Sequence, residues 1–259
     1  MVGRIAPINP RNSSIRVRFA DGTSHHDIIW FIMCGRYVLA DLIRLAQKYS
    51  VDLGPFELKP RYNVSPGSAM PVIRRQTRNE VEIMRWGLIP SWAPESKIGY
   101  TMINARADTI LEKRSYSKPF KSQRCIVPSS GFYEWKKDGK NKTPYFIRVK
   151  DEPVVGFAGI YDLWKAPNLQ DVLSFSIITT DANEAIRHIH DRMPVILTPE
   201  AELAWLETQY EAKDLIGLLK PYPAEKMEAY TVSTKVNSAR NESPDLIDRF
   251  EEHSSSLLL

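Results

Sequence analysis

Four residues of this chain have side chains suited to covalent, acid–base or hydrogen-bonding chemistry: Cys34, Glu134, His190 and Asn104. Cys34 directly follows Met33. An internal free cysteine is usually a small buried hydrophobe. If translation starts at Met33, the small cysteine side chain permits removal of the initiator methionine. Cys34 then carries a thiol and an α-amine on adjacent carbons. The amine, with a pKa of about 8, condenses with an aldehyde to an imine, and the thiol closes a five-membered thiazolidine ring. An internal cysteine lacks the amine and cannot do this.

Asn104 and Arg106 lie in Ile103-Asn104-Ala105-Arg106-Ala107-Asp108. In an extended chain their side chains share a face. An N-cap asparagine beside a surface arginine is the reading the pattern alone favours. The functional alternative is a hydrogen-bonding asparagine next to a phosphate-binding arginine. Glu134 sits between aromatics in Gly131-Phe132-Tyr133-Glu134-Trp135. Such a carboxylate usually faces solvent; held in an apolar site, it would have a raised pKa suited to acid–base work. His188 and His190 are spaced for a metal, but the only other histidine after residue 33 is His253, and Cys34 and Cys125 stand far apart. No metal site is therefore expected, and His190 beside Asp191 reads as an oriented acid or base. Trp86, Trp92 and Trp135 are core candidates by type; on a groove wall with Arg61 and Pro66 they would stack the bases of a single strand.

These residues need a scaffold. At 259 residues and 29.7 kDa the chain can build a full core without metals or disulfides. Hydrophobic residues make up 43% and charged residues 25%, a globular balance. Mean hydropathy is −0.33, and no stretch approaches the ~18 apolar residues that would span a bilayer. A net charge of +4 is low for a protein that wraps duplex DNA, but leaves room for a local basic groove. Two cysteines build no disulfide framework, which points to a reducing, cytosolic compartment. No glycine-rich phosphate loop is present, so no nucleotide cofactor is expected.

Asp41 to Tyr49 has helical spacing behind an acidic start, and residues 50–68, rich in Pro and Gly, read as loop. Strands are predicted at Met70–Gln76, Val81–Leu88, Cys125–Val127, Gly131–Lys137, Tyr145–Lys150, Val154–Trp164 and Val172–Thr180. Asp138-Gly139 marks a hairpin turn. Asn183–His188 reads as a short helix, Thr198-Pro199 caps another, and Lys213–Lys220 continues the helical region. Strands in a block followed by helices argue for an α+β fold.

Residues 1–33 offer a hairpin turn at Asp21-Gly22, which reads either as an ordinary edge hairpin or, as favoured here, as an extension outside the fold with Met33 as the expected start. Setting them aside removes four arginines and two aspartates and takes the net charge from +4 to +2. Residues 34–250 are then one domain, and 251–259 a tail.

Seven segments in order resemble the SRAP family (SOS-response-associated peptidase, or abasic site processing, domain): Met33-Cys34-Gly35-Arg36-Tyr37; Arg61-Tyr62-Asn63-Val64-Ser65-Pro66-Gly67; Arg85-Trp86-Gly87-Leu88-Ile89-Pro90; Ile103-Asn104-Ala105-Arg106; Arg124 to Pro128 with Gly131 to Trp135; His190-Asp191-Arg192-Met193-Pro194; and Val232 to Asn237. The resemblance runs from Met33 to about Ile247. It implies a single compact α+β domain around a distorted, barrel-like mixed sheet with peripheral helices. It also implies a covalent trap in which a mature N-terminal cysteine forms a thiazolidine with the ring-opened sugar of an abasic site in single-stranded DNA. On that basis Cys34 is the nucleophile, Asn104 positions it or the sugar, and Glu134 and His190 are the acid–base pair. Arg36, Asn63, Pro66, Trp92, Arg106, Thr179 and Arg192 would line the DNA groove. The expected protein is a cofactor-free monomer, cytoplasmic and nucleoid-associated when bound to DNA. The family departs from this chain at residues 1–33, which would block the Cys34 amine. A thiol autopeptidase built on Cys34, Glu134 and His190 is the rival enzyme, and a non-catalytic single-strand-binding module is the rival of another class.

Overall fold

The computed structural model describes residues 35–54, 56–166, 171–207 and 209–250. Cys34, the 1–33 extension and the 251–259 tail lie outside them.

Five strands close into a mixed barrel. They are β3 (Ala69–Arg75), β4 (Asn79–Trp86), β6 (Arg124–Ser129), β9 (Val155–Trp164) and β10 (Val172–Asp181). They run in the order β10-β4-β3-β6-β9, and an antiparallel β9–β10 pairing closes the ring. The β4–β10 contact is the one parallel pairing within the ring. Three short strands sit on the rim: β5 (Asn104–Arg106) and β11 (Arg192–Pro194) on β10, and β12 (Ile196–Leu197) on β9. A second sheet has the order β13-β8-β7-β1-β2, from β13 (Met227–Thr231), β8 (Asn141–Val149), β7 (Gly131–Asp138), β1 (Arg36–Leu39) and β2 (Arg61–Val64). Four α-helices complete the described chain: α1 (Leu42–Tyr49), α2 (Arg114–Ser122), α3 (Pro199–Leu206) and α4 (Ala212–Ile216). The expected α+β class holds.

Aromatic side chains join the second sheet to the barrel. Tyr37 of β1 packs edge-on against Trp86 and Phe157, with ring centroids 5.2 and 6.3 Å away. Phe132 of β7 meets Phe157 at 6.0 Å, and Trp86 stacks on Phe175 at 6.5 Å. The opposite face of the sheet has its own cluster of Val38, Tyr133, Phe146, Val232, Val236 and Leu246. Alternation along β7 therefore sends Phe132 and Glu134 toward the barrel and Tyr133 away from it. Gly131, where β6 turns into β7, has φ +152, and a Cβ there would lie 2.4 Å from Phe146 Cζ. Only glycine fits this corner.

Local signals decide the helix ends as expected. Asp41 accepts the Arg44 amide at 2.9 Å, and Thr198 accepts the Ala201 amide at 3.3 Å ahead of Pro199. Three expectations need correction. The run 50–68 contains β2, because long-range pairing with β1 overrides its Pro and Gly content. Where a helix is expected at 183–188, residues 184–189 form hydrogen-bonded turns, and the Asn183 side chain donates to the Tyr222 carbonyl at 2.6 Å and accepts the Ala185 amide at 3.1 Å. The helix expected at 213–220 shortens to α4.

Candidate functional site

β1 enters between β2 and β7, and two registers determine what its first residues meet. Arg36 pairs with Tyr133, and Tyr37 pairs with Phe132 and Val64. Gly35 comes one residue before the first paired position, Arg36 against Tyr133, and the β2 pairing has already ended at Tyr37 against Val64. Gly35 is buried and is the first described residue. Glu134 is 4% exposed, which overturns the solvent-facing reading of its sequence pattern. Its carboxylate is on the barrel face of β7. Pro66 is half-buried just past β2 and precedes Gly67, whose φ is +88.

Asn104 is in an extended strand and is not the helix cap its local sequence favours. β5 runs parallel to β10, with Asn104 beside Ile177 and Arg106 beside Thr179. β5 takes the edge of β10 that β4 leaves after Phe175 pairs with Trp86, while on the other edge β9 ends at Gly159 against Ile177. The Trp86 indole donates to the Ile103 carbonyl at 3.0 Å, and the Tyr116 hydroxyl of α2 donates to the Asn104 carbonyl at 3.1 Å. Burial pushes the Tyr116 phenol up to about 12, so it stays a donor. Arg106 is exposed and forks onto Asp108 with bonds of 3.1 and 2.7 Å. This Arg106 hydrogen bond is the main reason the Asp108 carboxyl titrates below the usual range.

The β10–β11 hairpin supplies Thr179, His190 and Arg192. Arg192 is 4% exposed; its guanidinium donates to the Thr179 carbonyl at 2.8 Å and to Asp181 at 2.8 Å. Thr179 is fully buried. The half-buried His190 accepts the Arg192 amide on Nδ1 at 3.1 Å, and Asp191 Oδ1 lies 2.9 Å from the same nitrogen. A neutral ring held in this way carries its proton on Nε2, and a protonated ring donates Nδ1–H to Asp191. The His188 ring meets the Tyr145 ring edge-on at 6.3 Å, and Tyr145 is the cross-strand partner of Glu134. The segment leading to His190 therefore lies beside the Glu134 rung.

Arg36 and Asn63 are both buried, and their polar atoms are used internally. Arg36 donates to Asn63 Oδ1 at 2.7 Å and to the Val236 carbonyl at 3.1 Å. Asn63 Nδ2 donates to the carbonyls of Val236, Ser238 and Asn241 at 3.2, 3.0 and 3.0 Å. Burial lowers the Arg36 pKa. Glu242, which no sequence pattern singled out, accepts the amides of Tyr62 and Asn63 and pairs with Arg61 at 3.0 Å. Together these groups hold loop 236–242 against β2. Trp92 is 45% exposed, with the Arg114 guanidinium over its ring at 5.0 Å. Glu242, Tyr116 and Asp108 act through contacts that strand and helix periods do not announce.

Among the described residues no group of three or more His, Cys, Asp or Glu is placed to hold a metal, and no helix is long and apolar enough to cross a membrane. A separate cleft of about 360 Å³ is lined by Lys48, Tyr49, Arg75, Asn79, Glu202 and Leu203 among others, none of them a site candidate.

The model of the SOS response associated peptidase (SRAP) family matches residues 33–239. The abasic site processing protein YoqW of Bacillus subtilis is 46% identical over 222 residues, covering 83% of this chain and 99% of that one. The abasic site processing protein HMCES of Xenopus tropicalis is 36% identical over 220 residues, covering 72% of this chain and 65% of that one. A crystal structure of a Bacteroides thetaiotaomicron protein superposes with a TM-score of 0.77 at 37% identity, covering 84% of this chain and all of that one.

Proposed function

This chain belongs to the SRAP family, and from that premise we propose that it is a DNA-damage response protein that captures abasic sites in single-stranded DNA as a thiazolidine on Cys34. The observation that carries the reading is that the β1–β7 register pairs Arg36 with Tyr133, the neighbour of the buried Glu134. A buried carboxylate thus stands one residue along β7 from the first pairing of β1, the strand that Cys34 precedes in sequence.

The chemistry requires a free α-amine on Cys34, reached by initiation at Met33 or by cleavage before Cys34. The family match from residue 33 supports that starting point. The amine adds to C1′ of the ring-opened sugar aldehyde, and the carbinolamine loses one water to give an imine. The sulfur then adds to the imine carbon while the thiol proton passes to nitrogen, closing a ring of C1′, N, Cα, Cβ and S. Glu134 takes the amine proton and returns it to the departing hydroxyl. His190, with its Nδ1 occupied, offers Nε2–H to the sugar oxygen during ring opening and on reversal. Asn104 orients the sugar or the amine. Arg106 and Trp92, both exposed, meet phosphate and base.

The test is crosslinking of protein beginning at Cys34 to an abasic single-stranded oligonucleotide, read on a denaturing gel. Wild type forms a stable adduct, Cys34→Ala forms none, and Glu134→Gln and His190→Ala slow adduct formation or reversal by ~10²–10⁴-fold. Undiminished adduct with Cys34→Ala overturns the mechanism. A band that disappears on denaturation favours the non-covalent single-strand-binding module.

A further inference from the structure

The tip of the β7–β8 hairpin, residues 136–142, carries Lys136, Lys137, Lys140 and Lys142 against the single acid Asp138, and it is the direct continuation of the strand that bears Glu134. Among the described residues β1 pairs with β7 only as far as Arg36 against Tyr133, so β7 runs on well past the β1 pairing to Asp138. The β8 pairing continues along this overhang, from Glu134 against Tyr145 to Asp138 against Asn141. The overhang is therefore an ordered two-stranded arm.

Two features separate the arm from an ordinary solvated surface. Lys137 is directly opposite Lys142, a like-charge rung that costs the hairpin stability. Lys136 is two residues beyond Glu134 and shares its face, about 7 Å farther along the strand. Lys136 and Lys140 are exposed, and neither forms an ion pair among the described residues. A cationic arm on the catalytic face, set on a chain whose net charge falls to +2 after residue 33, concentrates positive potential at one edge of the site.

We propose that this hairpin is a phosphate-binding arm, with Lys136 and Lys140 contacting the backbone of the single strand that leads into the site. The proposal rests on the function reading above for the placement of the abasic nucleotide, but the arm's contact with DNA does not depend on covalent chemistry. Lysine suits the task because an exposed ammonium meets phosphate as a mobile point charge without needing a set base geometry.

The experiment measures equilibrium binding of the Lys136→Gln/Lys140→Gln double variant and wild type to an undamaged single-stranded oligonucleotide across a salt series. Each lost phosphate contact lowers the slope of log K against log salt by ~0.7 for single strands. The expected result is a slope shallower by about 1.4, with weaker binding at low salt and convergence toward wild type as salt rises. An unchanged slope and affinity overturns the proposal and leaves the lysines as guards of an exposed strand edge. A shallower slope with wild-type protein that never crosslinks abasic DNA keeps the arm and rejects the covalent reading instead.

Discussion

Replacing Arg36 by alanine separates two accounts of this residue. Family resemblance assigns it to the DNA groove, yet its guanidinium is buried and bonded to Asn63 Oδ1, the Val236 carbonyl and, at 3.4 Å, the Asn237 carbonyl. The variant strips a charged donor from two short buried bonds and leaves Asn63 Oδ1 and the Val236 carbonyl without it. Hydrogen bonds to charged groups contribute ~1.5–3 kcal/mol each. Part of that is offset, because burial already disfavours the charged guanidinium and the variant no longer bears that cost. A net loss of about 2–4 kcal/mol follows, worth roughly 4–16 °C in Tm for a chain of this length. Thermal unfolding of Arg36→Ala by circular dichroism measures it, with single-strand affinity measured on the same preparation well below the new Tm. The geometry predicts a large drop in Tm and increased exchange of amides in loop 236–242. A Tm within 1 °C of wild type, together with weakened DNA binding, would refute the reasoning and make Arg36 a direct DNA contact.

Other residues give smaller and more specific outcomes. Asp108→Asn releases the Arg106 fork from an exposed ion pair, so single-strand affinity rises by up to about five-fold at low salt; unchanged affinity removes Arg106 from the DNA path. Glu202 is held by Tyr49 at 3.0 Å and Lys48 at 3.0 Å, and desolvation still raises its pKa above 4.5. Its folded pKa exceeds its unfolded value, so its contribution to stability falls as pH rises from about 4.5 through the folded pKa. The Tm of Glu202→Gln relative to wild type therefore increases over that window and is flat above it; a difference that shrinks with rising pH contradicts the sign. Gly131→Ala meets Phe146 and the Ile147 carbonyl at a backbone φ of +152, and the soluble yield of folded protein collapses; a wild-type Tm would show that the corner can relax.

Much of the scaffold is legible in sequence because its signals are local. Asp138-Gly139 announces the β7–β8 turn, Thr198-Pro199 caps α3, and the apolar runs at 154–164 and 172–180 are too long and too β-branched or aromatic to miss. The candidate reactive side chains are legible as well, since only cysteine offers an aminothiol and only certain types hold a proton near neutral pH. What escapes a linear reading depends on partners far away in the chain. β2 exists because β1 lies beside it, and the three-residue β5 exists because β10 continues past the barrel rim. α2 carries Pro119 in its interior, and its last carbonyls, at Phe120 and Lys121, are bonded by Arg124 from the following strand at 3.1 and 2.7 Å.

The same division runs through the site. Strand period alone puts Asn104 with Arg106, and Phe132 with Glu134, on common faces. It does not say which face is covered, because burial is a property of the neighbouring layer and not of the strand. Packing of Tyr37 and Phe132 against Trp86 and Phe157 decides that Glu134 is inside. Internal acceptors likewise decide that Arg36 and Asn63 brace a loop while Arg106 stays at the surface. A guanidinium has the same chemistry in both settings; the acceptors the fold brings within hydrogen-bond reach determine whether it braces the interior, as at Arg36, or stays at the surface, as at Arg106.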